Sequence, residues 1–258
     1  MTSVPGASIR REAGQPRREG GVRTFGPLYH ALLAGQATKG RVIGLGLLGL
    51  VAVLLGIAIG ASDVADPLED GVRVVNTFGL SLFVPVVTLV FAAAALGDPN
   101  EDGTLVYLYL RPVARWRIAA AALASTLTVA LPLAVVPITL AALATGAGGK
   151  IVVAAAASCT VATVAYTGLF CWLGLRVRRA LVWGLAYILV WEGFVASAGA
   201  TPARLSVRAY TRSLLSRLAD GPDDLVEVSL AVAVIGPLVA ATAGALLTVR
   251  RLLRQDVT

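Results

Sequence analysis

Six long apolar runs decide what this chain can fold into. They cover residues 42–61, 74–96, 118–145, 151–175, 180–198 and 225–249. Each approaches or exceeds the roughly 20 residues that a helix needs to cross the hydrocarbon of a bilayer. The chain therefore reads as all-α, a polytopic membrane protein with six transmembrane helices. Composition agrees. Of its 258 residues 57% are apolar and 14% charged, with a mean hydropathy of +0.80, whereas a soluble domain carries about 45–50% apolar and about 25% charged residues.

The net charge of +7 and a pI near 10.0 do not point to nucleic acid, because the basic residues flank the apolar runs and form no basic surface with interleaved aromatics. Their distribution sets an orientation instead. Residues 1–23, with Arg10, Arg11, Arg17 and Arg18 among Gly, Pro and Ser, have neither an apolar core nor a small-residue cleavage site. They read as a disordered basic cytosolic tail, not as a secretory signal. Residues 24–41 are too short and too polar to span and suit an interfacial helix ending at Lys39 and Arg41. Sixteen of the 22 Lys and Arg residues fall in this N-terminal approach, between the second and third runs, in the loop of Arg176, Arg178 and Arg179, and in the C-terminal tail 250–258. By the positive-inside rule both termini are cytosolic, in a multi-pass protein of the cell (plasma) membrane.

Gly56 and Gly60 form a GxxxG pair in the first run. That pattern belongs to close helix packing, a dimer interface included, and also to ordinary glycine usage in membrane helices. The segment 62–73 carries Asp63, Asp66, Glu69 and Asp70 against Arg73, and reads as an acid-rich loop on the outer face. Pro85, Pro132, Pro137 and Pro237 sit inside runs, where they kink helices that bundle neighbours accommodate. GAGGK at 146–150 is a turn, since Ala144 and Ile151 replace the glycine and the Ser or Thr that a phosphate loop needs. Cys159 and Cys171 lie about 18 Å apart along one helix, beyond disulfide reach, and read as small packing residues. His30 has no partner at a metal-ligand spacing, so no metal is expected.

Glu192 is the one acidic residue well inside an apolar run. A mid-span carboxylate costs about 2.5–3.5 kcal/mol on the insertion scale, and Leu, Val, Ile and Phe offset it at about 0.3–0.6 kcal/mol each. The helix still inserts. Glu192 then marks a pathway or an internal partner, or, a few residues from the outer end, a hydrated structural position. Between 199 and 224, Val207, Tyr210, Leu214 and Leu218 recur at helical spacing opposite Arg204, Arg208 and Arg212, which predicts an amphipathic helix on the outer leaflet.

The stretch 98–119 separates the second and third runs on the cytosolic side. Asp98, Pro99 and Glu101 predict a capped helix start, with the Asp98 carboxylate accepting from free backbone N–H groups, Pro99 at the first helical position and Glu101 completing the box. Leu105, Leu108 and Tyr109 share a face, and Arg111 before Pro112 is pushed out of helical geometry, so the helix ends near Leu110. Arg115, Trp116 and Arg117 suit the headgroup level.

The acidic residues followed by Gly103-Thr104-Leu105, then Arg111-Pro112-Val113 and Arg115-Trp116-Arg117-Ile118, resemble the loop after the second membrane helix of ATP-binding-cassette type-2 permeases, the membrane halves of ABC exporters. The six-run layout and the basic N-terminal approach extend the resemblance to nearly the whole chain. It implies a non-catalytic permease subunit of an ABC exporter, which forms the translocation pathway with a second permease copy or paralogue. It implies a cytosolic coupling helix in the loop 98–117 that docks on a separate ATPase, with Glu101, Asp102, Gly103 and Thr104 as its contact end and Arg111 and Arg115 nearby. ATP and Mg are then expected on two copies of that ATPase, with no cofactor on this chain, lipids around it and no nucleic acid. By the same implication the outer amphipathic segment between helices 5 and 6 is a lid over the exit of the pathway, as against a solvated connector docked on the bundle. Glu101 and Asp102 have a plainer role open to them as complements of a helix N-terminus, worth about 0.3–1 kcal/mol each. For the whole chain the alternatives are a stand-alone ion- or proton-coupled carrier using Glu192, and an intramembrane enzyme. Against the enzyme stands the lack of a HExxH motif, of paired intramembrane aspartates and of a Ser/His pair in the runs.

Overall fold

The computed structural model of the chain describes residues 25–62, 66–104, 114–195, 205–220 and 228–254, with no strand among the described residues. The elements are α1 (Phe25–Gln36), α2 (Lys39–Gly60), α3 (Pro67–Glu101), α4 (Arg115–Ala144), α5 (Gly149–Arg176), α6 (Ala180–Ala186, continuing as π-helical Tyr187–Val195), α7 (Val207–Ala219) and α8 (Leu230–Arg254). Five of these, α2, α3, α4, α5 and α8, are long and apolar enough to cross a membrane. The predicted span 180–198 corresponds to α6, a shorter apolar helix, and 196–198 lie outside the described residues.

Contacts define two ends of the bundle. Arg41 of α2 pairs with Asp98 of α3, Glu101 meets Arg179 before α6, and Arg115 of α4 reaches Leu252 of α8; this is the basic end. At the opposite end Gly60 packs on Ala144, Gly71 on Thr145 and Ile151, and Lys150 pairs with Asp220. Helices α3 and α5 are central, with 78% and 61% of their most apolar windows buried, against 22–28% for α2, α4 and α8.

Lipid tails give apolar helices no reason to prefer one another, so small residues must bring backbones together. Alanine does most of this. Ala119, Ala122, Ala130, Ala134 and Ala141 of α4 and Ala154, Ala155, Ala162 and Ala165 of α5 are all buried. Glycine makes the closest crossings. A Cβ on Gly168 of α5 would overlap the Ala241 carbonyl of α8, and one on Gly244 would overlap Gly168. Gly56 and Gly60 are packed in the same way on Ala141 and Ala144 of α4, so the GxxxG pair is used inside the chain. Buried hydroxyls are satisfied locally: Thr88, Ser158, Thr163, Thr167 and Thr248 each donate to the carbonyl four residues back, which meets their need for a partner within their own helix.

Three sequence expectations change. The acid-rich segment is not all loop. Asp66 caps α3 by accepting from the Leu68 and Glu69 N–H groups, Pro67 takes the first turn, and Arg73 pairs with Glu69 and Asp70 at i,i+4 and i,i+3. The helix that carries the run 74–96 therefore starts at Pro67. Second, the approach 24–41 is divided: α1 ends at Gln36, and Lys39 and Arg41 belong to the first turn of α2. Gln36, fully buried, donates from Nε2 to Ser125 Oγ at 2.7 Å and accepts from Thr126 Oγ1 at 3.2 Å, which fixes α1 on α4. Third, the predicted amphipathic helix forms as α7, but it does not lie on a surface. Val207, Thr211, Leu214, Leu215 and Ala219 are buried, and it packs between α5 and α8.

Candidate functional site

Asp98 does not start a helix. The backbone from Ala93 to Gly97 is already helical, in π geometry, and no side chain caps the turn at Asp98. A proline at 99 explains the π turn: its missing N–H leaves the carbonyl four residues back without a donor, and an i→i+5 register lets another N–H take up the bonding. The Asp98 N–H accordingly reaches Ala93 O, and upstream of Pro85 the Val84 N–H reaches Gly79 O in the same way. Released from capping, Asp98 and Glu101 make longer connections. Asp98 accepts from Arg41 Nη2 at 2.6 Å, Asn100 donates to Gly174 O at 3.1 Å, and Glu101 accepts from the Arg179 backbone N–H at 3.2 Å.

The end of α3 is thus tied to α2, α5 and the start of α6. Beyond Glu101 the chain turns through Asp102, Gly103 and Thr104, all exposed, with Gly103 at φ +69° where a side chain is disfavoured. Of the predicted contact residues the structure brings Glu101, Asp102, Gly103 and Thr104 together at the basic end. The helix expected from Asp98 through Leu110 does not run through 102–104: it ends at Glu101, and Gly103 turns the chain out of helical geometry; residues 105–113, Arg111 among them, lie outside the described residues. Arg115 is engaged elsewhere: its Nη1 donates to the carbonyls of Leu252 at 2.7 Å and Leu253 at 3.0 Å, where a cation complements the C-terminus of α8.

Glu192 lies in the π-helical part of α6 and is 1% exposed. Four donors converge on its carboxylate: Tyr187 OH at 2.9 Å, the Ser206 hydroxyl, and the N–H groups of Val207 and Arg208, each at 3.3 Å. A carboxylate offers about four lone-pair sites, and these donors fill them. In return Arg208 Nη1 donates to the Glu192 carbonyl at 3.2 Å. Tyr187 is held edge-on by Phe170, which stacks on Tyr166 of α5. The Glu192 carboxylate is thus partnered within the chain. The carboxylate sits at the N-terminus of α7, where backbone N–H groups and the helix dipole favour an anion. Sequence alone does not name the groups that bind it. Ser206, just ahead of an amphipathic run, is the readable sign, since it is also the N-cap of α7, accepting from the Ala209 N–H.

Between α7 and the Pro237 region of α8 lies a groove of about 360 Å³, lined by Leu205, Ser206, Val207, Tyr210, Gly236 and Pro237 among others. Among the described residues no cluster of His, Cys, Asp and Glu is placed to hold a metal ion.

Five bilayer-length helices around a small-residue core, with an exposed turn at one end and a buried carboxylate joint within, define a multi-pass membrane protein. The sequence identifies which kind. It matches the family described as ABC-2 family transporter protein over residues 39–202, more than half of the chain, and so the chain belongs to that family of transporter permeases, which are membrane transport components and generally not catalytic. No curated protein sequence matches it. The family match ends before α7 and α8.

Proposed function

We propose that the chain is the permease subunit of an ABC exporter, pairing with a second permease copy or a paralogue and driven by two separate ATPase subunits that carry ATP and Mg. The basic end faces the cytosol, both termini with it, in the plasma membrane. The apolar run 180–198, which contains α6, is the remaining crossing of the six. The loop 98–117 is the docking point for the ATPase, and the turn 102–104 makes the contact.

The observation that carries this reading is how the turn is mounted. It is exposed on all of its residues, yet it leaves a 35-residue helix whose end is bonded to three neighbours. A partner that presses on this turn moves α2, α5 and α6 with it, the rigid-body response that alternating access requires. The charge pattern supports the same orientation, because Arg41, Arg115, Arg176, Arg178 and Arg179 gather at that end. The test is affinity purification of the full chain from its native membrane, identification of the proteins that accompany it, and an ATPase assay on the preparation. A nucleotide-binding subunit in fixed stoichiometry is expected; the chain alone, with no ATPase activity, would refute the reading.

A further inference from the structure

We propose that Glu101 and Glu192 are positioning residues that connect the exposed turn 102–104 to α7 through α6, each carboxylate holding the start of the next helix in line. The proposal rests on the reading of that turn as the docking point.

The first joint is under constraint. Arg179, the residue ahead of α6, is left-handed at φ 58° and ψ 52° and has no side-chain cap of its own. That region is unfavourable for a residue with a Cβ, so the conformation persists because its surroundings hold it. Glu101 supplies part of that hold through the Arg179 N–H. Packing supplies the rest: a Cβ on Gly174 would come within 3.0 Å of the Gly97 N, and one on Gly97 within 3.1 Å of the Ala180 Cβ. The ends of α3 and α5 and the start of α6 meet without slack.

The second joint lies about 18 Å further along α6, some twelve residues at about 1.5 Å each. There Glu192 takes the hydroxyl of Ser206 and the N–H groups of Val207 and Arg208, while Arg208 returns a bond to the Glu192 carbonyl. Between the joints one face of α6 is seated, Gly184 on Leu89, Ile188 buried and Tyr187 edge-on to Phe170, while Val182, Trp183, Leu189 and Val190 on the other face are exposed. A rod bonded at both ends and open along one face carries displacement lengthwise.

The second state in this proposal is the reversion of the π-helical Tyr187–Val195 to α geometry. A π turn holds one residue more than an α turn, and its reversion would rotate the downstream residues by about 100°. That rotation takes Glu192 off the start of α7. Pressure on the turn would thus reach Arg179 through Glu101 and free α7 from the joint, exposing the groove beside Ser206, Val207 and Tyr210.

The experiment is hydrogen exchange read by mass spectrometry on the full chain in lipid nanodiscs, without any ATPase, for the wild type and Glu101→Ala, Ser206→Ala, Glu192→Gln and Asp98→Ala. Ser206→Ala and Glu192→Gln are expected to speed exchange of residues 207 and 208, whose N–H groups Glu192 holds, by about tenfold, the factor that one lost charge-assisted hydrogen bond gives. Glu101→Ala, which takes away the acceptor of the Arg179 N–H, is expected to speed the same two amides several-fold. Asp98→Ala, which removes the tie to Arg41 of α2, leaves them unchanged. Ser206→Ala removes both the hydroxyl that donates to Glu192 and the cap of the Ala209 N–H, so residue 209 is left out of the comparison, and this variant keeps the test open if Glu192→Gln does not fold. If Glu101→Ala leaves residues 207 and 208 at the wild-type rate, or Asp98→Ala moves them equally, or Ser206→Ala does not move them, the connection is wrong. These outcomes do not depend on an ATPase partner, so they are separate from a failure of the functional reading.

Discussion

Glu192 and Arg208 cap each other's helices: the Glu192 carboxylate accepts from the Arg208 backbone N–H at the start of α7, and Arg208 Nη1 donates to the Glu192 carbonyl near the end of α6. Each side chain neutralises the partial charge that the other's helix end would leave buried. The pair makes a carboxylate tolerable in an apolar segment and fixes the direction in which α7 departs.

Removing that carboxylate should destabilise the protein strongly. Glu192→Ala strands the Tyr187 and Ser206 hydroxyls and two backbone N–H groups, and losing one partner of a buried charged contact costs about 3–5 kcal/mol. Glu192→Gln keeps one oxygen but turns an amide donor toward the remaining donors, so it should fall between wild type and alanine. Unfolding of the purified chain in detergent, followed by near-ultraviolet circular dichroism, measures the order. Equal stability of all three proteins would show that the joint holds nothing.

The glycine crossings give a contrast within one residue type. Gly168→Ala places a Cβ into the Ala241 carbonyl and should cost about 1–3 kcal/mol as α5 and α8 are forced apart. Gly44→Ala meets nothing within 4 Å and should be neutral or stabilise by up to about 1 kcal/mol through helix propensity. The same unfolding assay compares them, and a Gly168 variant as stable as the Gly44 variant contradicts the packing.

Arg115→Ala should loosen the end of α8. It removes the donor to the Leu252 and Leu253 carbonyls and a cation from a helix C-terminus, together about 1.5–3 kcal/mol for a hydrogen-bonded charge. Limited proteolysis should cut near residues 250–254 sooner than in wild type, while the turn at Asp102 keeps its susceptibility. If instead the C-terminal segment is cut at the wild-type rate, Arg115 does not hold the end of α8.

Much of this architecture is legible in the sequence because length and apolarity alone mark a membrane helix, and no tertiary contact is needed to see them. The exposed turn is not legible in the same way: Asp98, Pro99 and Glu101 read as the start of a helix running to Leu110, whereas the helix stops at Glu101 and the chain turns at 102–104, with Gly103 at positive φ. The features that escape a sequence reading depend on residues far apart. The cap expected at Asp98 fails because a cap needs free N–H groups ahead of it, and the π turn before Pro99 has continued the helix through that point; the acid's partner, Arg41, lies 57 residues away. Three of the four Glu192 donors, Ser206, Val207 and Arg208, lie on α7 and its N-cap, beyond the end of the family match. Likewise α3 reaches Pro67 because Glu69, Asp70 and Arg73 satisfy one another on its surface, a pairing that composition reads as loop. Position along the chain locates Glu192 in a helix, but only the fold of α7 back against α6 gives it partners.

The proposed function turns on engagement of an ATPase at the turn 102–104. The most direct measurement is co-purification of the native complex with Asp102→Lys, a change that leaves the Glu101 bond to Arg179 in place. The wild-type chain should bring a nucleotide-binding subunit in fixed stoichiometry, and Asp102→Lys should lose it while the chain stays folded in the membrane. Retention of that subunit by Asp102→Lys at the wild-type ratio would contradict the assignment of the turn as the docking point. Transport by this chain from an ion gradient, with no ATPase present, would contradict the permease reading as a whole.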